Sequence, residues 1–298
     1  LYALWVLDEE MYSKALMTII NTFPHYSMHD SSHPWSIINK IEMILGENRI
    51  KQLSPTDAFL ILESAFLHDF GMIVTDKEQK DLWNNPEFKK YIDDIKKYNY
   101  DKDLLQAVNY LEKINEKVSE KNEESWPIDV KRYVTLLNAD YFRRTHNYRS
   151  YNIIMDSNEL GIVENRSNLI PERLMRLIAQ FSVIHGTEFN SILENLYKED
   201  NGIGTDKIHP RMIASLLRLG DLLDLDNGRF NEVLVKTIEI PENSMQHRRK
   251  HQAITHFLVS PEKIEVEAIC PDEKVYRVTR EWLEWLQDEL KNLSSKWS

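Results

Sequence analysis

At 298 residues, with 42% hydrophobic and 29% charged side chains, the chain has enough apolar material for one large core or two modest ones, which excludes a disordered protein. A formal net charge of -11 argues against a surface that coats duplex DNA and favours a small charged ligand held by a few arginines. The lone cysteine, Cys270, excludes an internal disulfide and a cysteine zinc cluster, and it suits a reducing compartment such as the cytoplasm.

The opening LYALWVL is too short for a membrane span and lacks a basic leader, and no other apolar run approaches the roughly 18 residues that a span needs. It also lacks a methionine, which points to a longer polypeptide. In HPWSIINKIEMILG, Ile37, Ile38, Ile41, Ile44 and Leu45 recur at helical spacing between Pro34 and Gly46, so His33 stands at a helix entrance. The next helix starts in SPTDAFLILESAFLHDFG, with Ser54 as N-cap, Pro55 at the first helical position and Asp57 near the positive end. Ala58, Phe59, Leu60, Ile61 and Leu62 leave this helix almost no polar face, so it is expected to be central, and Gly71 lets the chain turn away. A carboxylate at the end of such a run, Asp69, costs several kcal/mol to bury unless an arginine, a hydrogen-bond network or a metal meets it.

Residues 76–127 are more polar and read as a helical insertion over the core, with a break near Trp126-Pro127. Three further helices follow: one ends in YFRRTHNYRS, PERLMRLIAQFSVIH ends at His185, and HPRMIASLLRLGDLLDLD carries Asp221. After Gly228 the pattern alternates in EVLVKTIEI, ITHFLV and KIEVEAI, with Ser260-Pro261-Glu262 as a hairpin turn, and a closing helix near 278–296 ends the chain. The expected fold is mainly α: a helical core over 1–230, with a small α+β extension over 231–298 that holds a hairpin and the closing helix.

His29, His33, His68, Asp69, His146, His185 and Asp221 collect at the expected helix ends. Imidazole and carboxylate together suit a divalent transition metal, or a mixed site with magnesium or manganese. Bland readings compete. Arg218 and Asp224 flank Asp221 at i−3 and i+3 as an ion-pair ladder would, and histidines at helix C-termini are common caps.

The order of these residues resembles the HD superfamily of metal-dependent phosphohydrolases, whose signature is a histidine, then a His-Asp pair, then a distant aspartate on converging helices. That resemblance implies His33, His68, Asp69 and Asp221 as metal ligands, one or two divalent ions (Mn, Fe, Mg, Ni or Zn), and His29, His146 and His185 in ancillary catalytic roles. The stretches FPHYSMHDSSHPWSIINKIEMIL, AFLHDFGM, RRTHNYRS, IHG, LLRLGDLLDLDNGRF and QHRRKH are similar to the HD-CE branch. Members of that branch are found beside or fused to Hsp90-type ATPase modules in bacterial conflict systems. QHRRKH departs from the branch, which has an aromatic residue after the histidine.

Arg143, Arg144 and Arg149 flank His146, and Arg218 and Arg229 flank Asp221, so guanidinium groups are expected to converge on a phosphate. Arg144 and Arg149 match the family motif best, and Arg143 is equally well read as part of a solvated face. Lys250 and His251 add to the rim, or belong to an exposed basic turn. The expected activity is metal-dependent hydrolysis of a nucleotide or other small phosphate ester, with no membrane partner and an Hsp90-type ATPase domain as possible neighbour. A single-strand nuclease is the second choice, followed by a non-catalytic nucleotide-sensing module.

Overall fold

A computed structural model describes residues 1–26, 29–98, 101–118, 126–156, 160, 169–225 and 241–296. Two N-terminal helices, α1 (Tyr2–Leu16) and α2 (Ile19–Thr22), precede α3 (Ser32–Ile50), whose regular path breaks at Gly46 with φ of 67°. His33 lies in the first turn of α3, as the sequence suggests.

Helix α4 (Pro55–Leu67) is the central element. Ser54 accepts from the Asp57 backbone N–H at 3.0 Å with Pro55 in the first turn, and all but three of its residues are buried. Its aromatic end packs with α1, where Phe66 lies edge-on to Trp5 and Phe70 edge-on to Tyr12. Asp57 does more than favour the helix dipole. Its buried carboxylate accepts from the backbone N–H and from Nδ1 of His209, the N-cap of α11 (Pro210–Leu222), at 2.8 and 2.9 Å. The helices that carry the His68-Asp69 pair and Asp221 are thereby joined at their N-termini.

After α4 a short 3₁₀ turn, Phe70–Met72, runs against α8 (Ile128–Met155). Gly71 does not adopt a positive φ to turn the chain out; it is required by close approach. A Cβ there would lie 1.9 Å from the His146 carbonyl oxygen and 2.7 Å from the Ser150 backbone nitrogen. The Ser150 hydroxyl accepts from Gly71 N–H at 2.8 Å and donates to the His68 carbonyl at 2.6 Å, latching α8 onto the His68-Asp69 corner.

The polar stretch forms α5 (Asp76–Leu82), with a Thr75/Glu78 capping box, then α6 (Pro86–Tyr98) and α7 (Lys102–Val118). Phe88, Ile95, Leu104, Ala107 and Val108 join the main core, which explains how so charged a segment stays packed. Pro127 caps α8, as the expected break implies. Beyond it come α9 (Glu172–Ile184), α10 (Asn190–Asn195) and a two-residue ladder of β1 (Asp200–Asn201) and β2 (Lys207–Ile208), too short for any periodicity to mark.

QHRRKH is part of a helix, α12 (Glu242–Ala253), and not a turn. Strands β3 (Ile254–Val259) and β4 (Ile264–Ala268) pair antiparallel, closed by the Ser260 N–H to Lys263 carbonyl bond at 2.9 Å. The closing helix α13 begins earlier than expected, spanning Glu273–Lys296. A second apolar cluster of Leu219, Leu223, Leu225, Val259, Trp282 and Leu286 joins it to the end of α11. EVLVKTIEI and Arg229 lie outside the described residues. Among those described, no single helix is long and apolar enough to cross a membrane.

Candidate metal centre

Asp69 is the hub. Its Oδ2 lies 3.3 Å from Nε2 of both His33 and His68 and 3.8 Å from Nε2 of His29. Its Oδ1 faces the opposite way, 3.3 Å from His146 Nε2 and 4.0 Å from His185 Nε2. Asp221 Oδ1 completes the first side at 3.4 Å from His33 and 4.0 Å from His68. Three overlapping sets have ligand atoms close enough to share an ion: His33, His68 and Asp69; His68, His185 and Asp221; Asp69, His146 and His185.

Backbone and carboxylate acceptors fix the tautomers. Nδ1 of His68 lies 2.9 Å from the Ala65 carbonyl, that of His146 2.6 Å from the Arg143 carbonyl, and that of His185 2.5 Å from the Ser182 carbonyl. A carbonyl can only accept, so each Nδ1 holds a proton and each ring turns its Nε2 toward Asp69. His33 obeys the same rule through Asp224, whose Oδ2 accepts from Nδ1 at 2.6 Å while Oδ1 accepts from Ser36 at 2.6 Å. Two features then fit a cation. His68 Nε2 is buried without a hydrogen-bond partner among the described residues, and the Nε2 atoms of His146 and His185 stand 3.0 Å apart, where two lone pairs repel unless a proton or metal lies between.

Electrostatics match. Burial alone would raise the Asp69 carboxyl, but the neighbouring His68, His146 and His33 reverse that and hold it well below the usual carboxylate range. His185 is pushed well below its ordinary value, first by burial and then by repulsion from His68 and His146, which keeps it neutral as a ligand must be.

The cluster forms one wall of a cavity of about 960 Å³, within the range of roughly 300–1,000 Å³ common for small-molecule sites. His29 lines it, as do Lys250 and His251 from α12. Lys250 is buried with its ammonium 5.5 Å from the centre of the Trp282 ring.

The arginines distribute differently from expectation. Arg144 is not among the lining residues; it pairs with Asp140 at 2.5 Å and lies over Tyr91. Arg149 is also turned away: it donates to the Gly71 and Ile73 carbonyls at 2.9 and 3.0 Å and pairs with Glu78 at 2.7 Å, tying the 3₁₀ turn to α5. Arg218 reaches the cavity wall, but its guanidinium is committed to Glu289 of α13 at 2.7 and 2.9 Å and to the Ile184 carbonyl at 2.7 Å. That bond to Glu289 also replaces the suggested ladder with Asp221. Arg143 is the arginine of the RRTHNYRS segment that lines the cavity, one turn before His146 on the same face. His146 itself lies within α8 and is no C-terminal cap, whereas His185 is the C-cap of α9.

Sequence reasoning passed over Asp224 as the partner of His33, Ser150 as the latch, and Glu289. Each lies far along the chain from the residue it serves. No curated protein and no solved structure matches the chain. The HD-CE family, however, matches residues 23–292, a span that contains every residue of the cluster. With its histidines and aspartates meeting in that family's order on converging helices, the chain belongs to the HD-CE family.

Proposed function

We propose that the protein is a metal-dependent phosphohydrolase acting on a nucleotide or another small phosphate ester, with Asp69 shared between two ion positions. The observation that carries this reading is the set of Nε2 atoms, fixed by their Nδ1 partners, that face the two oxygens of one carboxylate. His33, His68, Asp69 and Asp221 would hold one divalent ion, and Asp69, His146 and His185 a second. Ions bound there supply Lewis-acid chemistry, polarising a phosphoryl oxygen and making water nucleophilic near neutral pH.

The remaining steps belong to the chain's own residues. Asp224 and the backbone carbonyls hold the ligand protons at Nδ1, so the rings cannot flip without losing a buried hydrogen bond. Arg143 and Lys250 line the cavity and offset phosphate charge. His29, close to Asp69 but held by a loop, is placed to deliver a proton from Nε2 to the leaving oxygen. On the same reading the protein works in the cytoplasm beside an Hsp90-type ATPase module, in the same or a neighbouring polypeptide. Addition of such a module should change turnover.

Metal analysis of the purified protein followed by a substrate panel at two salt concentrations tests the proposal. Nucleotide turnover should depend weakly on ionic strength, because only local cations meet a small ligand. A single strand held through about five phosphates would instead give a log-log salt slope near −3.5. Cleavage of single-stranded DNA or RNA with inert nucleotides would favour a nuclease, and a protein that binds nucleotides without turnover would be a sensing module.

A further inference from the structure

The cavity wall extends beyond the His/Asp cluster. Part of it is α13, whose Trp285, Asp288 and Asn292, at i, i+3 and i+7, line the space. The neighbouring Trp282 and Leu286 are 6% and 4% exposed and belong to the C-terminal apolar cluster, whereas Trp285 is 58% exposed. An aromatic ring left this exposed on a cavity wall gains little from packing.

The placement of this face is rigid. Glu289, one turn beyond Trp285, is bound by Arg218, and the same guanidinium donates to the Ile184 carbonyl beside His185. Side chains on this face of α13 are therefore held at a fixed offset from the cluster. Arg143 lines the cavity one turn before His146, and Lys250 lines it with its ammonium 5.5 Å from the Trp282 ring of α13. One wall thus joins the His/Asp cluster, two cations, and an aromatic face with a carboxylate and an amide. A nucleotide presents matching groups: a phosphate, and a flat base with hydrogen-bonding edges.

We propose that Trp285 is a stacking platform for the base of a nucleoside phosphate, with Asp288 and Asn292 facing the base edges, so that α13 supplies substrate selection. This deepens the phosphohydrolase reading and rests on it for the position of the phosphate. Base stacking on one aromatic side chain changes affinity by about tenfold or more.

The test uses the metal-loaded protein with ligands that resist hydrolysis, so that binding is read apart from turnover. Phosphonate analogues of nucleoside monophosphates and of ribose 5-phosphate, and inorganic phosphate, are titrated against tryptophan fluorescence and by calorimetry. Nucleotides should bind about tenfold more tightly than ribose 5-phosphate. Trp285→Ala should erase that difference without weakening ribose 5-phosphate, and Trp285→Phe should restore most of it. Equal affinities for nucleotide and ribose 5-phosphate in the unmodified protein would overturn the proposal, as would a Trp285→Ala protein that keeps the preference. The two readings fail separately. Base-dependent binding without hydrolysis of any phosphate ester leaves the platform standing and removes the enzyme, whereas ready hydrolysis of ribose 5-phosphate, unaffected by Trp285→Ala, does the reverse.

Discussion

The two sides of Asp69 differ in how they are braced. On the Oδ2 side His33 and His68 are 2% and 1% exposed in their side chains, and Asp224, itself buried, anchors His33 while accepting from Ser36. On the Oδ1 side His146 is 20% exposed in its side chain, and both rings are backed only by carbonyls of their own helices. A ring backed by a carboxylate on another element is fixed by tertiary packing, while one backed by its own helix moves with that helix. His68 also rests on a carbonyl of its own helix, so what distinguishes the Oδ2 side is His33, pinned by Asp224 from a distant segment, whereas both rings of the Oδ1 side depend on where α8 and α9 lie.

The sharpest way to break this contrast is to remove what both sides share. Asp69→Ala should abolish metal binding on both sides and reduce hydrolysis to background, while circular dichroism stays helical, because a buried charge and its cation leave together. Undiminished metal content in the purified variant would refute the shared-ligand reading. A smaller effect separates the sides. His146→Ala should lower bound metal by one equivalent and turnover by roughly a hundredfold, whereas Asp224→Asn should keep both positions but weaken the Oδ2 side by about 10–100-fold. Metal stoichiometry and affinity, measured together, distinguish the two, and identical behaviour would erase the distinction. The smallest catalytic effect belongs to Arg149→Ala. Because its guanidinium serves the Gly71 and Ile73 carbonyls and Glu78, the variant should lose about 2 kcal/mol of stability with KM nearly unchanged. A large rise in KM with unaltered denaturation would return Arg149 to substrate binding.

The helices were legible because each signal was local, whereas His33, His68, Asp69 and Asp221 were drawn together by the resemblance to the family's order. Ser54 and Pro55 start α4, an all-apolar run buries it, and His68-Asp69 follows directly. The arginines were not legible. Sequence gives the helix on which a guanidinium sits, but Arg149 and Arg218 are claimed by carbonyls and carboxylates from other segments, Glu78 and Glu289 among them. Asp224 shows the same limit. It follows the end of α11, so helical spacing from Asp221 says nothing of its direction, and its partner His33 lies 191 positions away. QHRRKH was left open between a rim and an exposed turn because six polar residues in succession carry no periodicity; packing of α12 beside α13 makes it a helix whose Lys250 and His251 line the cavity.

Gly71 acts as a gauge. The α8 main chain lies so close that no rotamer could accommodate even a methyl group, since a Cβ is fixed directly to the backbone. Any residue with a side chain there must force α8 and the 68–72 corner apart, so His146 parts from Asp69 and the Ser150 latch to Gly71 and His68 is broken. The spacing of His146 from the His68-Asp69 corner is thus set by one missing carbon atom. The two faces of a histidine-aspartate cluster can be parted at a residue that belongs to neither.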